Sequence, residues 1–321
     1  MTHLVIGAAG QDGVILSRKL KALDIEVIGV CKSYQSKFLN IAVPNLKIEE
    51  FDGGNIQSIL DKYKPKKIYN LAGYSSVKYS WENPSDAVKV NASLVAEIVE
   101  WIYKKSDQTI LIQASSSEIF GNSKKSPQNE TTELMPSSPY GASKALAHQL
   151  ILHYKQRYSL NLGAAILYNH ESPLRKSEFL SKHLAEGITG IFLNKQGKVK
   201  VGNLDSKRDW GWAPDYVNGI YNMSTRDTIE DYVFATGKQS TVREFVACFF
   251  SLIGIQNFED YLEVDPSALR QIDPTNLCGD SNKALKDMGW NNSKNLQEIA
   301  AEMFNWELAR NENGSNLIWG S

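Results

Sequence analysis

Three glycines spaced three apart, Gly7, Gly10 and Gly13, close an apolar run at residues 3–8 and open an amphipathic stretch at 12–23. No other feature of the chain constrains its fold as much. Glycine lets the backbone turn tightly and approach a pyrophosphate, which then rests on the free N–H groups of the following helix. Alone, such glycines describe any tight turn. Between the first strand and the first helix of a βαβ unit they describe a dinucleotide cradle, and Gly7, Gly10, Gln11, Asp12 and Gly13 are assigned to it.

The remainder of the first half keeps that rhythm. Strand-like runs fall at 3–8, 26–30, 46–51, 67–72, 109–115 and 160–168, several of them apolar on both faces, as strands buried in a parallel sheet are. Helical stretches at 12–23, 56–63, 84–105 and 140–158 lie between them. The alternation predicts an α/β chain with a Rossmann-type, doubly wound parallel sheet. Beyond residue 169 it fades into helices at 178–189, 214–225, 241–253, 281–288 and 296–309, with one strand at 232–236 that returns to the sheet. The expected division is a dinucleotide-binding domain at 1–168 and a smaller, mostly helical nucleotide-sugar-binding lobe at 169–321. The cleft between them lies at the carboxyl ends of the strands.

Composition enters as an exclusion. With 35 Lys and Arg against 36 Asp and Glu, the net charge is −1. No global field draws in nucleic acid or an anionic membrane surface, so an anionic ligand must be held by locally placed cations. Cys31, Cys248 and Cys278 are odd in number and far apart, which argues against a disulfide framework or a zinc site, and no metal is expected. A strand opening at residue 3 leaves no room for a leader, and no apolar run has the length of a membrane span, so a cytoplasmic setting is expected.

The end of the second strand bears on which dinucleotide is bound. NAD sites place an acid there for the ribose hydroxyls. Here the sequence is Val30-Cys31-Lys32-Ser33, with no acid. Lys32 suits a 2′-phosphate, which favours NADP with NAD possible; Lys32 also reads as a solvated loop lysine. Asp52, after the third strand, has two readings, an adenine contact or a cap for the next helix. Leu71 and Ala72, closing the fourth strand, are assigned to the cofactor.

Catalytic residues come from two segments. Tyr140 and Lys144 stand four apart on one helix face, which brings phenol and ammonium together. The ammonium is expected to lower the phenol pKa and ready it to take the proton of a sugar hydroxyl. Pro139 suits the first helical turn and sets Tyr140 at the helix start. The fifth strand runs into Ser115-Ser116-Ser117-Glu118. Ser116 can share a hydrogen bond with Tyr140 and the substrate hydroxyl. Glu118 supplies what a simple reductase or epimerase lacks, a second base for the C5 proton once C4 is a ketone. The competing reading of Glu118 is a capping or surface carboxylate.

Together these segments resemble the GDP-mannose 4,6-dehydratase family, within the extended short-chain dehydrogenases/reductases. Further matches are NHESPLR at 169–175 to the family's NHESPRR, GNLDSKRDWG at 202–211 to GNLDAKRDWG, and Arg270-Gln271-Ile272-Asp273, Gly279-Asp280 and Met288-Gly289-Trp290 to its RPTEV…GD…LGW tail. The resemblance implies roles for Ser116 as the family's catalytic threonine, Glu118 as base, and Tyr140 and Lys144 as the tyrosine–lysine pair. It places Asn169 at the substrate's pyrophosphate end, Arg208 and Arg270 as clamps on the diphosphate and Asp273 at the ribose. Ser75, Glu171 and Lys182 join them as substrate-binding residues. Arg208 also reads as the partner of Asp209 in a structural ion pair.

The chain departs from the family where NLAAQSHV becomes NLAGYSSV at 70–77, where TRK becomes Ser181-Lys182-His183, and where paired arginines after the second strand become Cys31-Lys32. The resemblance implies a homo-oligomer, dimer or tetramer, and a GDP-sugar converted to its 4-keto-6-deoxy form. Two other readings stand beside it. One is a C4 dehydrogenase or a 4,6-dehydratase acting on a GDP-heptose. The other is a non-catalytic NADP-binding protein.

Overall fold

In the computed structural model, residues 2–194, 197–266, 273–313 and 318–320 are described. The first half alternates as β1 (His3–Ile6), α1 (Gln11–Ala22), β2 (Val27–Cys31), α2 (Ser36–Ala42), β3 (Lys47–Glu50), α3 (Ile56–Tyr63) and β4 (Lys67–Asn70). Then come α4 (Val77–Glu82), α5 (Pro84–Val88), α6 (Leu94–Lys105), β5 (Ile110–Ser116), α7 (Pro139–Tyr158) and β6 (Leu162–Leu167). The second half runs β7 (Asn169–Glu171), α8 (Leu180–Asn194), β8 (Val199–Val201), β9 (Lys207–Trp212), α9 (Ala213–Met223) and β10 (Tyr232–Phe234). It closes with β11 (Gln239–Thr241), α10 (Val242–Leu252), β12 (Leu262–Val264), α11 (Asn282–Met288) and α12 (Leu296–Asn313).

Seven strands form one parallel sheet in the order β10-β6-β5-β4-β1-β2-β3. Their apolar residues point both ways because both faces are covered. Leu16 and Leu20 of α1 with Tyr216 and Ile220 of α9 fill one face; Ile59, Ile98 and Ile151 of α3, α6 and α7 fill the other. Strand order reverses between β1 and β4, which opens a crevice at their carboxyl ends. The strand expected at 232–236 does return, as β10 beside β6.

Three expectations need correction. The helix expected at 84–105 is interrupted by a π turn, Lys89–Ser93. The extra residue in that turn aims the buried Asn91 at the loop after β4, where its side chain holds both the N–H and the C=O of Tyr74. Helices α2 and α4, of seven and six residues, were not expected. The second half is mostly helical, as expected, but it also carries two small sheets that were not, β11-β9-β7 and β12-β8. They pack with α8, α10 and α12 around Leu184, Trp210, Phe245, Phe249 and Met303. No helix among the described residues is long and apolar enough to cross a membrane.

Candidate active site

The glycine turn is built on close approach. Gly7 has φ +83°, and a Cβ there would meet the Ala72 nitrogen at 2.6 Å. At Gly13 a Cβ would fall 2.3 Å from the Gly7 carbonyl oxygen. Gly10 differs: only that same oxygen lies near, at 3.3 Å, so its open side faces the crevice. Gly10 is also the N-cap of α1 and offers no side-chain cap, which leaves the first-turn N–H groups for a ligand. An anionic dinucleotide fits this arrangement.

The crevice holds a cavity of about 490 Å³, within the range of small-molecule sites. All the assigned cofactor residues line it: Gly7, Gly10, Gln11, Asp12, Gly13, Lys32, Asp52, Leu71, Ala72, Tyr140 and Lys144. The side chains of Gln11 and Asp12 bond to the start of the second half. Gln11 donates to the His170 carbonyl at 3.1 Å and accepts from the Ser172 hydroxyl at 2.7 Å. Asp12 pairs with His170 Nε2 at 3.0 Å. Asp52 accepts from the Ser33 N–H at 2.9 Å, bracing the loop after β2.

Ser116, Glu118, Tyr140 and Lys144 converge on the same cavity. Ser116 ends β5 and caps a 3₁₀ turn, its hydroxyl accepting from the Glu118 N–H. Ser138 caps α7, Pro139 occupies its first turn, and the Tyr140 N–H donates to Ser80 Oγ at 3.0 Å. Gly141 sits so close to the Glu118 carbonyl that a Cβ would be 2.5 Å from it. The start of α7 is therefore pressed onto the Glu118 main chain. Lys144 donates to the Ala114 carbonyl at 2.9 Å, tying α7 to the end of β5.

The expected effect of Lys144 on the phenol is not what the structure shows. Tyr140 is pushed up to about 12, chiefly by burial and with Glu118 adding to it, against Ser116 and Arg175, which pull it down. Burial also lowers Lys144 to about 8. The ammonium works on the β5 carbonyl, and Arg175 is the cation acting on the phenol.

The assigned substrate residues divide. Ser75 and Asn169 line the cavity. Glu171 and Lys182 do not: Glu171 is buried, accepting from Ser181 and lying 3.3 Å from Arg175 Nε, while Lys182 donates to Glu307 and to the Pro173 carbonyl. Arg208 and Asp273 also lie off this cavity and pair with each other, with Ser206 donating to Asp273 at 2.7 Å. Arg208 does not pair with Asp209, whose carboxylate accepts from Thr236, Gly237 and Gly279. Arg270 lies outside the described residues. Sequence reasoning missed Tyr74, Arg175, Lys176 and Phe179, which line the cavity. The Arg175 guanidinium lies 3.9 Å from the Phe179 ring centroid. Arg175 was within reach, since it ends the NHESPLR segment.

The sequence model of the GDP-mannose 4,6 dehydratase family matches residues 4–303. GDP-mannose 4,6 dehydratase 2 of Arabidopsis thaliana is 35% identical, over 96% of this chain and 88% of its own. The GDP-mannose 4,6-dehydratase of Sinorhizobium fredii is 32% identical, over 95% and 96%. Among solved structures, the dTDP-glucose 4,6-dehydratase of Bacillus anthracis in complex with NAD superposes with a TM-score of 0.82 at 20% identity, covering 98% of this chain and 99% of that one. RMD of Pseudomonas aeruginosa, complexed with NADPH, has a TM-score of 0.77 at 17% identity, over 97% and 100%. Those two show the fold alone. The match across residues 4–303 and the full-length relatives settle the family: this chain belongs to the GDP-mannose 4,6-dehydratases.

Proposed function

We propose that the protein is a GDP-sugar 4,6-dehydratase that converts GDP-mannose, or a close relative, to the 4-keto-6-deoxy sugar nucleotide using NADP. The observation that carries this reading is the pairing of Tyr140 with Glu118 in one cavity, with Gly141 pressed on the Glu118 carbonyl. When bound, the nicotinamide would supply a hydride acceptor in its oxidised form and, once reduced, the donor that returns the hydride. Tyr140 takes the C4 hydroxyl proton, with Ser116 sharing it. Arg175 lowers the phenol against the burial that raises it. Glu118 takes the C5 proton, made acidic by the C4 ketone, and gives it to the C6 hydroxyl, which leaves as water; after hydride return to C6, the proton held by Tyr140 goes back to C5. Lys144 holds α7 to the end of β5 and so keeps Tyr140 in place.

NADP is favoured over NAD because β2 ends in Cys31 and Lys32 with no acid, and Asp52 is engaged by the Ser33 N–H. The reading includes a cytoplasmic setting, in keeping with three free cysteines, and a homo-oligomer, supported by Tyr103, Leu146 and Tyr158 exposed on α6 and α7.

Incubation with GDP-mannose followed by mass spectrometry tests the reaction. A product lighter by one water is expected; loss of two hydrogens instead would mean oxidation at C4 alone. Glu118→Gln should slow dehydration by about 10²–10⁴-fold, the usual worth of a positioned base. A wild-type rate in that variant removes Glu118 from the chemistry.

A further inference from the structure

Resting on the NADP reading, a second question concerns what holds the 2′-phosphate. Lys32 stands at the end of β2, where an adenosine ribose lies in this fold. A lone lysine is a flexible point charge that loses rotamer freedom on binding. Here it is not left loose. Its ammonium lies 3.2 Å from Tyr74 Oη, 5.3 Å from the Tyr74 ring centroid and 5.9 Å from that of Tyr34. The contact to Tyr74 is the main influence raising the Lys32 pKa, so the amine stays charged.

Tyr74 is itself fixed at three points. Its N–H donates to Asn91 Oδ1 at 3.0 Å, and its carbonyl accepts from Asn91 Nδ2 at 3.2 Å. Its ring stacks on Tyr79 at 4.7 Å, and the Tyr79 hydroxyl donates to Asp86 at 3.0 Å. The π turn of Lys89–Ser93 is what aims Asn91 there. The Tyr74 phenol accepts from the ammonium and keeps its own proton, which it shares with the neighbouring Tyr79 hydroxyl until a ligand takes it. The pair thus presents two donors from two different loops to one point on the cavity wall.

We infer that Tyr74 is a specificity-determining residue, which with Lys32 forms a two-donor seat for the 2′-phosphomonoester of the adenosine ribose. Tyr74 stands where the resembling family segment has glutamine, and Lys32 where it has paired arginines. The second donor comes from the loop after β4. Hydrogen bonds to phosphate are charge-assisted, and a donor fixed in advance loses little entropy in making one.

The test measures binding, not turnover: calorimetric titration of the full chain with NADP, NAD, 2′-phospho-ADP-ribose and ADP-ribose. Tyr74→Phe keeps the stack on Tyr79 and removes only the hydroxyl. It should weaken the two 2′-phosphorylated ligands about tenfold, the worth of one bond to a charged group, and leave NAD and ADP-ribose unchanged. Lys32→Gln should weaken the same two ligands by more. If Lys32→Gln has that effect and Tyr74→Phe has none, the Tyr74 assignment falls and the NADP reading stands. If the wild type binds NAD as tightly as NADP, both fall. Tyr74→Gln serves as a second variant; it should lose selectivity as Tyr74→Phe does, with an unchanged melting temperature showing that the loop is intact. Full selectivity in a stable Tyr74→Gln protein would also overturn the assignment.

Discussion

At the glycine turn after β1 the site is made of main chain, whereas at the crossing into the second half it is made of side chains. The first region tolerates no bulk: methyl groups at Gly7 and Gly13 would fall 2.6 and 2.3 Å from backbone atoms. The second region is held by charges that answer one another, His170 with Asp12, Lys182 with Glu307 and Arg208 with Asp273. Those partners lie 158, 125 and 65 residues apart. A cradle of N–H groups needs only local sequence. A buried charge needs its partner, wherever the chain supplies it.

The contrast can be broken hardest at Lys182. Its ammonium is buried against Glu307, which is wholly buried and also meets Arg310 at 2.8 Å. Lys182→Met should cost about 3 kcal/mol in urea denaturation, because a buried carboxylate loses one of its two cations. The double variant Lys182→Met/Glu307→Leu should recover most of that loss. A stable double variant that no longer binds GDP-mannose would show that Lys182 reaches the substrate, as the sequence suggests, and the division between the regions would fail.

The glycine turn gives the next largest effect. Gly13→Ala places a Cβ within 2.7 Å of three backbone atoms, so the turn must open; about 2 kcal/mol of stability should be lost, seen as a lower melting temperature. Gly10→Ala meets a single atom at 3.3 Å and should leave stability nearly unchanged while weakening dinucleotide binding, because its methyl projects into the cavity. Equal destabilisation by the two changes would mean that the turn is not a backbone cradle open on one side.

The same distinction explains what could be read in advance. Strands β1 to β6 and helices α1, α3 and α7 announce themselves through local patterns, and the glycine turn through its spacing. Four of the five strands of the two small sheets in the second half have three residues, too short for a dependable period. The π turn is invisible because the contact it serves, Asn91 to Tyr74, is tertiary. Glu171, Lys182, Arg208 and Asp273 were assigned to substrate from a family motif, and nothing in the motif shows that each has a protein partner. The expected lowering of Tyr140 by Lys144 followed from helical spacing alone, whereas burial, Ser116, Glu118 and Arg175 are what act on the phenol.

The smallest effect is the most diagnostic, because it lies where the two regions meet. Burial pushes Asp12 up, but the charge and hydrogen bond of His170, with Arg175 and Gln11, hold it below its usual value of 3.8. Burial pushes His170 down, but Asp12 outweighs it and raises the imidazole above 6.5. A lowered acid contributes stability above its unfolded pKa and loses it as pH falls through the folded value. A raised base contributes fully below its unfolded pKa and loses it as pH rises through the folded value. The pair is therefore strongest between 3.8 and 6.5 and weakens as pH rises beyond that. Lys144, lowered to about 8 by burial, works in the opposite sense, adding relative stability as pH rises from there, but it does so with or without His170. The difference between wild type and His170→Gln isolates the pair. At about pH 6 wild type should be more stable by about 1–2 kcal/mol, the worth of a charge-assisted bond, and the gap should narrow on the alkaline side. A gap that does not change with pH would mean that no proton is shared in this pair, leaving Gln11 and Ser172 to hold the crossing.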